Sequence, residues 1–428
     1  MKFIFADSLD FVDPNYDFLR DELSPNRDRY WDDVFPHELF KSPPYDGLLV
    51  SRAIVGDHIV SGKYSESQAM RLRRVGAREF LRFNSKKVKD YPVIADCGAF
   101  SYAHLDSPPY AIADTMEFYQ DGQFTHGCSV DHVIFDFYSK NLPIDSVDPA
   151  IQQRYEITLT NAEEFITECK REKSSFTPIG IVQGWSPDSM ASATKSLQKM
   201  GYNYIALGGL VPLASDTIKK VLDSVCPTLP TDNSVRLHIL GFAKAGLLEG
   251  FQKYPIYSFD TTSPLIRAFK DQKQNYYHLT KSNEMQFYTA VRIPPSDGHS
   301  VQRQLIKTGR ETLEKVVKLE KKALTALRNY DKNSTMLEEA LDAVAEYSRM
   351  TLWSEKRSTA KNEIFLEQCL ERYKTTLEDK PWKLCKCDIC RDVGIEVIIF
   401  RGSNRNKRRG FHNLYTYNKY LKSVINNK

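Results

Sequence analysis

The chain has 428 residues, 41% of them hydrophobic, and a formal net charge of +4. This length suits a barrel of about 250 residues with additions, and no run approaches the roughly 20 apolar residues of a membrane span, so a soluble, cytoplasmic protein without a membrane partner is expected. Eight cysteines over this length do not make a disulfide scaffold, and three of them crowd into Cys385-Lys-Cys387-Asp-Ile-Cys390, which points to metal.

Residues 1–45 are rich in Asp, Pro, Tyr and Phe with little periodicity and read as an irregular lead-in. Their start, Met1-Lys-Phe-Ile-Phe-Ala-Asp7, turns acidic too early for a signal peptide. Strand candidates follow at 46–51, 78–83, 92–96, 131–136, 177–183, 203–208, 235–240 and 256–260, with helical segments such as 65–75, 158–173 and 187–200 in most of the gaps. Buried apolar runs alternating with helices imply an α/β fold, a (β/α)8 TIM barrel over residues 46–270. An open doubly wound sheet fits less well, because no glycine-rich dinucleotide loop follows the first strand.

Several runs stop at a polar residue or at glycine: Val93-Ile-Ala-Asp96, Val133-Ile-Phe-Asp136, Ile179-Gly-Ile-Val-Gln183, Tyr204-Ile-Ala-Leu-Gly-Gly209 and Ile256-Tyr-Ser-Phe-Asp260. A single acid placed this way usually caps a turn or a helix. Recurrence changes the balance, since the active sites of closed α/β barrels gather where the strands end. Asp96, Asp136, Gln183 and Asp260 are therefore candidates for one pocket.

Residues 271–384 carry helical periodicity with mixed charge, as in 312–328 and 336–349, and read as a mostly helical insertion to which no chemistry is assigned. The segment 385–428 is expected to be a zinc-binding, basic subdomain. Cys385, Cys387, Cys390 and His412 would complete a tetrahedral shell for one structural Zn²⁺ per chain, with no position left for water. The last 28 residues hold eight Lys or Arg and no Asp or Glu. Arg405, Lys407, Arg408 and Arg409 are thus candidates for contact with a nucleic-acid backbone.

Asp96-Cys-Gly-Ala-Phe100, Val182-Gln-Gly184, Ala206-Leu-Gly-Gly-Leu210, Phe259-Asp260 and the Cys385/Cys387/Cys390/His412 set occur in this order. They resemble the motifs of the queuine/archaeosine tRNA-guanine transglycosylase superfamily. Asp7-Ser-Leu-Asp10, Val12-Asp-Pro14, Pro44-Tyr-Asp-Gly-Leu-Leu-Val-Ser51 and the long segment before the zinc cysteines resemble a narrower branch, the DpdA-type transglycosylases that place 7-deazaguanines in DNA. Thr261-Thr-Ser-Pro264 stands where bacterial tRNA enzymes carry a Thr-Arg pair for the anticodon loop.

The resemblance implies a base exchange with retained stereochemistry. Asp260 would be the nucleophile at C1′ and Asp96 the general acid and base. Asp136 and Gln183 would bond the base edge beside Gly208 and Gly209, while Phe100 and Leu240 sandwich the ring. Asp131 would be a cap or a supporting residue, and Cys97 packing. The expected incoming base is 7-cyano-7-deazaguanine (preQ0), because Ala214 stands where enzymes for the aminomethyl base have a glutamate. Expected partners are DNA, a free 7-deazaguanine and, since the target must leave the stack, partner proteins that could open the duplex. The alternatives are the same chemistry on tRNA and an inactive, zinc-stabilised nucleic-acid-binding protein; retention of both Asp96 and Asp260 argues against the second.

Overall fold

The computed structural model describes residues 1–242, 249–298, 309 and 312–426. Eight strands are arranged in chain order: β1 (Lys2–Ala6), β2 (Leu48–Ser51), β3 (Val93–Asp96), β4 (His126–Cys128), β5 (Thr177–Val182), β6 (Tyr204–Leu207), β7 (Arg236–Ile239) and β8 (Ile256–Asp260). All neighbours pair in parallel, and β1 closes on β8 with Ile4 opposite Asp260. The expected (β/α)8 barrel is thus the fold. Its core includes Ile4, Leu49, Ile94, Ile179, Ile181 and Ala206, inward residues of successive strands that fill the space as a barrel of this size requires.

Helices between the strands start where the sequence supplies donors' partners. Ser65 accepts from the Gln68 N–H while the Gln68 side chain returns a bond to Ser65, opening Glu66–Val75. Ser186 and Ser189 do the same for Pro187–Met200, with Pro187 at the first helical position. Each cap satisfies N–H groups that the first helical turn leaves orphaned.

Three strand expectations need correction. The first strand is Lys2–Ala6, within the stretch read as an irregular lead-in; Phe3, Ile4 and Phe5 are fully buried, but the run is too short to show a period before Asp7. The 78–83 stretch is no strand. Ala77–Phe80 is a single helical turn, and the Arg78 guanidinium bonds the carbonyls of Phe83, Val88 and Tyr91 and gathers the loop around itself. The fourth strand is His126–Cys128 rather than 131–136. Ser129 ends its ladder, because the Ser129 hydroxyl takes the Ile181 N–H, so the buried run Val130–Ile134 continues beyond the sheet.

The chain divides into two compact units, Met1–Asp10 with Tyr45–Ser263 and Leu421–Lys428, and Phe11–Pro44 with Pro264–Tyr420. Residues 11–44 therefore join the second unit, not a lead-in to the barrel, and that unit begins before the expected boundary at 271. It holds the helices Leu313–Asp331, Leu337–Thr351 and Thr359–Asp379, which bury residues at helical spacing such as Val316, Ala323 and Leu327. It also holds an antiparallel pair, β9 (Tyr276–Leu279) and β10 (Met285–Tyr288), and a short parallel pair, β11 (Val291–Arg292) and β12 (Ile399–Phe400). Among the described residues no helix is long and apolar enough to cross a membrane.

Candidate active site and metal centre

Asp96 is the last residue of β3 and lies opposite Ser51 of β2. Two residues on, Gly98 has φ +80°, and a Cβ there would lie 2.4 Å from Ser51 Oγ and 2.5 Å from Ala53 Cβ. Only glycine turns the chain sharply enough to leave Asp96 at the strand mouth. Burial, then the nearby Asp260 and Asp131 carboxylates, push Asp96 up to about 7, against the Ser51 hydroxyl and the Gly98 N–H. Its Oδ1 is buried without a hydrogen-bond partner. A carboxyl group held near neutrality can give and take a proton at physiological pH.

Asp260 ends β8 and is 6% exposed. Its Oδ1 accepts from the Gly241 N–H at 2.9 Å and meets His238 Nε2 at 3.1 Å. One buried carboxylate is thus fixed by hydrogen bonds, and a second nearby is held with a raised proton affinity. Divergent environments of this kind separate a nucleophile from an acid–base pair.

Gln183, just past β5, donates from Nε2 to Asp131 Oδ2 at 2.7 Å, and its Oε1 accepts from the Ile134 N–H at 3.3 Å. A Cβ on Gly208 would lie 2.3 Å from Gln183 Nε2, and one on Gly209 would lie 2.9 Å from Gln183 Oε1. The glycine pair therefore makes room for the Gln183 amide as well as exposing backbone. Asp131 also accepts from Cys97 Sγ at 3.3 Å, and burial raises its pKa. Burial pushes the Cys97 thiol far above its usual range, in keeping with a packing role.

Phe100 is 54% exposed and meets Phe135, 45% exposed, edge to face at 5.5 Å. Leu240 is half-buried and packs on the barrel core. Asp136 stands apart from the two catalytic candidates: it is exposed and, with Phe135, Tyr138 and Arg154, lines a cavity of about 340 Å³ that neither Asp96 nor Asp260 lines. Asp131, His238, Ser258 and Phe135 were not singled out by sequence reasoning as site residues. The signal available for two of them was periodicity, since alternation puts Ser258 on the face of Asp260 and His238 on that of Leu240.

In the second unit, Cys385, Cys387, Cys390 and His412 bring one ligand atom each to within 4.8 Å of the others. Three sulfurs stand 3.3 to 3.7 Å from His412 Nδ1, close to the edge of a tetrahedron whose centre is about 2.3 Å from sulfur and about 2.0 Å from nitrogen. His412 Nε2 lies 2.7 Å from the Tyr277 carbonyl. Donation there leaves Nδ1 as the ligand atom, as metal-binding histidines are usually oriented. These four residues could hold a metal ion.

The basic tail is not what its composition implies. Arg405, Arg408 and Arg409 are at most 1% exposed. Arg405 pairs with Asp21 and Glu396; Arg408 bonds Asn404 and the Asp13 and Pro14 carbonyls; Arg409 bonds the carbonyls of Val397, Ile399 and Ala268. Lys407 is half-buried against the Phe11 carbonyl and ring. The assignment to a nucleic-acid backbone is therefore corrected: the partners come from residues 11–21 and 268 and from the strand–helix segment near 396, so no acid had to lie in the tail itself.

No family model matches the chain. A DNA-guanine transglycosylase from Salmonella montevideo is 40% identical over 417 residues, which is 97% of this chain and 95% of the relative. Identity at that level across nearly the whole of both chains, on a barrel whose strand mouths carry the paired aspartates, means that the chain belongs to the DNA-guanine transglycosylases, pentosyltransferases of the tRNA-guanine transglycosylase superfamily.

Proposed function

We propose that the protein exchanges guanine in DNA for a free 7-deazaguanine base through a covalent aspartyl-glycosyl intermediate. The observation that carries this reading is the pair of unlike carboxylates, Asp260 held by two donors and Asp96 raised to about 7. Asp260 attacks C1′ as the C1′–N9 electron pair leaves with guanine, which takes the proton of Asp96. The incoming base then gives its N9 proton to Asp96 and attacks C1′, expelling Asp260. Two inversions return the original configuration.

In this reading Gln183 and the Gly208–Gly209 backbone bond the edge of the base, with Asp131 orienting Gln183 from behind. Phe100 and Leu240 take its faces. Asp136 is the second edge-binding group; it is exposed, and among the described residues none engages its carboxylate. The incoming base is preQ0. Ala214, exposed as the N-cap of helix Ser215–Val225, offers no carboxylate to pair with an aminomethyl group, and a helix N-terminus does not favour a cation. The metal is one structural Zn²⁺ held by Cys385, Cys387, Cys390 and His412, a closed set that takes no part in the chemistry.

Labelled preQ0 incubated with DNA or with tRNA tests the polymer, and competition with the aminomethyl base tests the pocket. Incorporation into tRNA alone, or preference for the aminomethyl base, would overturn the corresponding part. Single-stranded DNA is expected to react directly, and duplex DNA to need partner proteins that open it. Asp260→Asn should form no adduct and exchange no base while keeping its fold.

A further inference from the structure

His238 lies on β7 opposite Ser258 of β8. It is 1% exposed, Ser258 is 0% and Tyr204 is 3%. Tyr204 Oη is 2.6 Å from Ser258 Oγ, Ser258 Oγ is 2.7 Å from His238 Nδ1, and His238 Nε2 is 3.1 Å from Asp260 Oδ1. The three contacts form one unbranched chain from the barrel interior to the carboxylate.

The direction of that chain follows from counting hydrogens. The Tyr204 phenol is buried, burial raises its pKa, and Ser258 is its hydrogen-bond partner. If Ser258 donated to Tyr204, the phenolic hydrogen would lose its acceptor, a costly state for a buried donor. Tyr204 therefore donates to Ser258, Ser258 donates to Nδ1, and the imidazole carries its hydrogen on Nε2, pointed at Asp260. The reverse tautomer would set a nitrogen lone pair against the carboxylate.

We infer that His238, with its tautomer set by Ser258 and Tyr204, is a positioning residue that orients Asp260 so that Oδ2 is the oxygen bonded to C1′. The inference rests on Asp260 being the nucleophile. Both donors, the Gly241 N–H and His238 Nε2–H, fall on Oδ1. They fix the rotamer and leave the Oδ2 electron pair to form the O–C1′ bond as the C1′–N9 pair departs with guanine and the proton of Asp96. In the second displacement the O–C1′ pair returns to Oδ2, and the two donors stabilise the regenerating carboxylate more than the ester it comes from. That is a differential interaction of the kind that raises kcat rather than lowering KM.

The test uses the full chain with single-stranded DNA and preQ0. His238→Phe keeps a flat ring and removes the donor. It should lower kcat about 100-fold, the scale of one lost preorganised donor, with KM for the base unchanged and the circular dichroism spectrum intact. His238→Gln places an amide hydrogen near the position of Nε2–H and should recover most of that loss. Wild-type kcat in His238→Phe overturns the inference, as does a Gln variant no faster than the Phe variant. The ¹⁵N spectrum of histidine-labelled wild-type protein decides independently of any variant's folding: a neutral ring protonated at Nε2 is expected, and one protonated at Nδ1 or at both nitrogens overturns the assignment. An active Asp260→Asn would instead remove the nucleophile on which the inference stands; an inactive one alongside a fully active His238→Phe removes this inference alone.

Discussion

Gln183 donates to the buried carboxylate of Asp131 at 2.7 Å, so the acid that holds the Gln183 amide is not the acid that ends the apolar run, Asp136. The two aspartates should therefore fail differently. Asp131→Ala leaves the Gln183 amide without a buried acceptor, which should cost about 1–3 kcal/mol of stability and raise KM for the base. Asp136→Asn, at an exposed position, should raise that KM with no change in the unfolding temperature. Thermal unfolding beside steady-state kinetics separates them; a normal base KM in Asp136→Asn would remove Asp136 from the pocket.

Asp96 links catalysis to stability with opposite signs. Its folded pKa is raised from 3.8 to about 7, so the folded state keeps a proton that the unfolded chain releases. The resulting stabilisation is complete below pH 3.8 and is lost as the pH rises through about 7. Above that pH an unfavourable charge remains, and Asp96→Asn should be more stable than wild type by up to about 4 kcal/mol at 1.36 kcal/mol per pKa unit, seen as a higher unfolding temperature, with the gap closing in acid. The same variant should be inactive. Single-turnover release of guanine, which needs the protonated acid, should slow as the pH rises through about 7. A pH-independent release rate would exclude Asp96 as the acid.

Asp96 and Asp260 were legible because a carboxylate that stops an apolar run is rare inside a sheet and meaningful at the mouth of a barrel. The barrel itself was legible from repeated buried runs. Lys2–Ala6 escaped because five residues carry too little pattern, and 131–136 misled because Val130, Val133 and Ile134 are buried without belonging to the ladder. His238 and Ser258 look like ordinary interruptions of apolar strands until their pairing across β7 and β8 brings them to Asp260. The arginines of the tail failed for the opposite reason. Their charge was plain in the sequence, whereas their partners lie hundreds of residues away at Asp13 and Asp21.

Those arginines yield a prediction of their own. Arg405 has no exposed side-chain area and pairs with Asp21 and Glu396. Arg405→Ala leaves Asp21 paired with Arg401 and Glu396 paired with Arg328, so the loss is that of the charged hydrogen bonds of Arg405 itself and should cost about 1.5–3 kcal/mol. The salt dependence of DNA binding by the folded fraction should not change, because no phosphate contact and no released counterion are lost. Chemical denaturation and binding titrations at several salt concentrations check both halves; a flatter salt slope would return Arg405 to the nucleic-acid interface.

Metal removal should act on the second unit's fold before it acts on chemistry. The four ligand atoms lie within 4.8 Å of one another, and Tyr276 stacks on the His412 ring at 4.2 Å while its hydroxyl meets Cys390 Sγ at 3.3 Å. Without a cation, three sulfurs and an imidazole held this close have only weak thiol–imidazole contacts to set against their crowding and burial. With Zn²⁺ the thiolates are neutralised and the site becomes a crosslink among residues 385–390 and 412. Elemental analysis should find one zinc per chain. A strong chelator, or acid that protonates the thiolates, should release it together with a fall in unfolding temperature. Cys387→Ala should yield poorly soluble protein, since Cys387 also caps the helix Asp388–Val393. Cys385→Ser separates the two roles, because Cys385 is only half-buried and caps the helix Pro381–Leu384 through its backbone N–H alone, which a serine keeps. It should fold less stably, and the zinc that it retains should be lost to chelator far faster than in wild type. Fully active protein without zinc, unfolding at the wild-type temperature, would show that these four residues hold no structural metal.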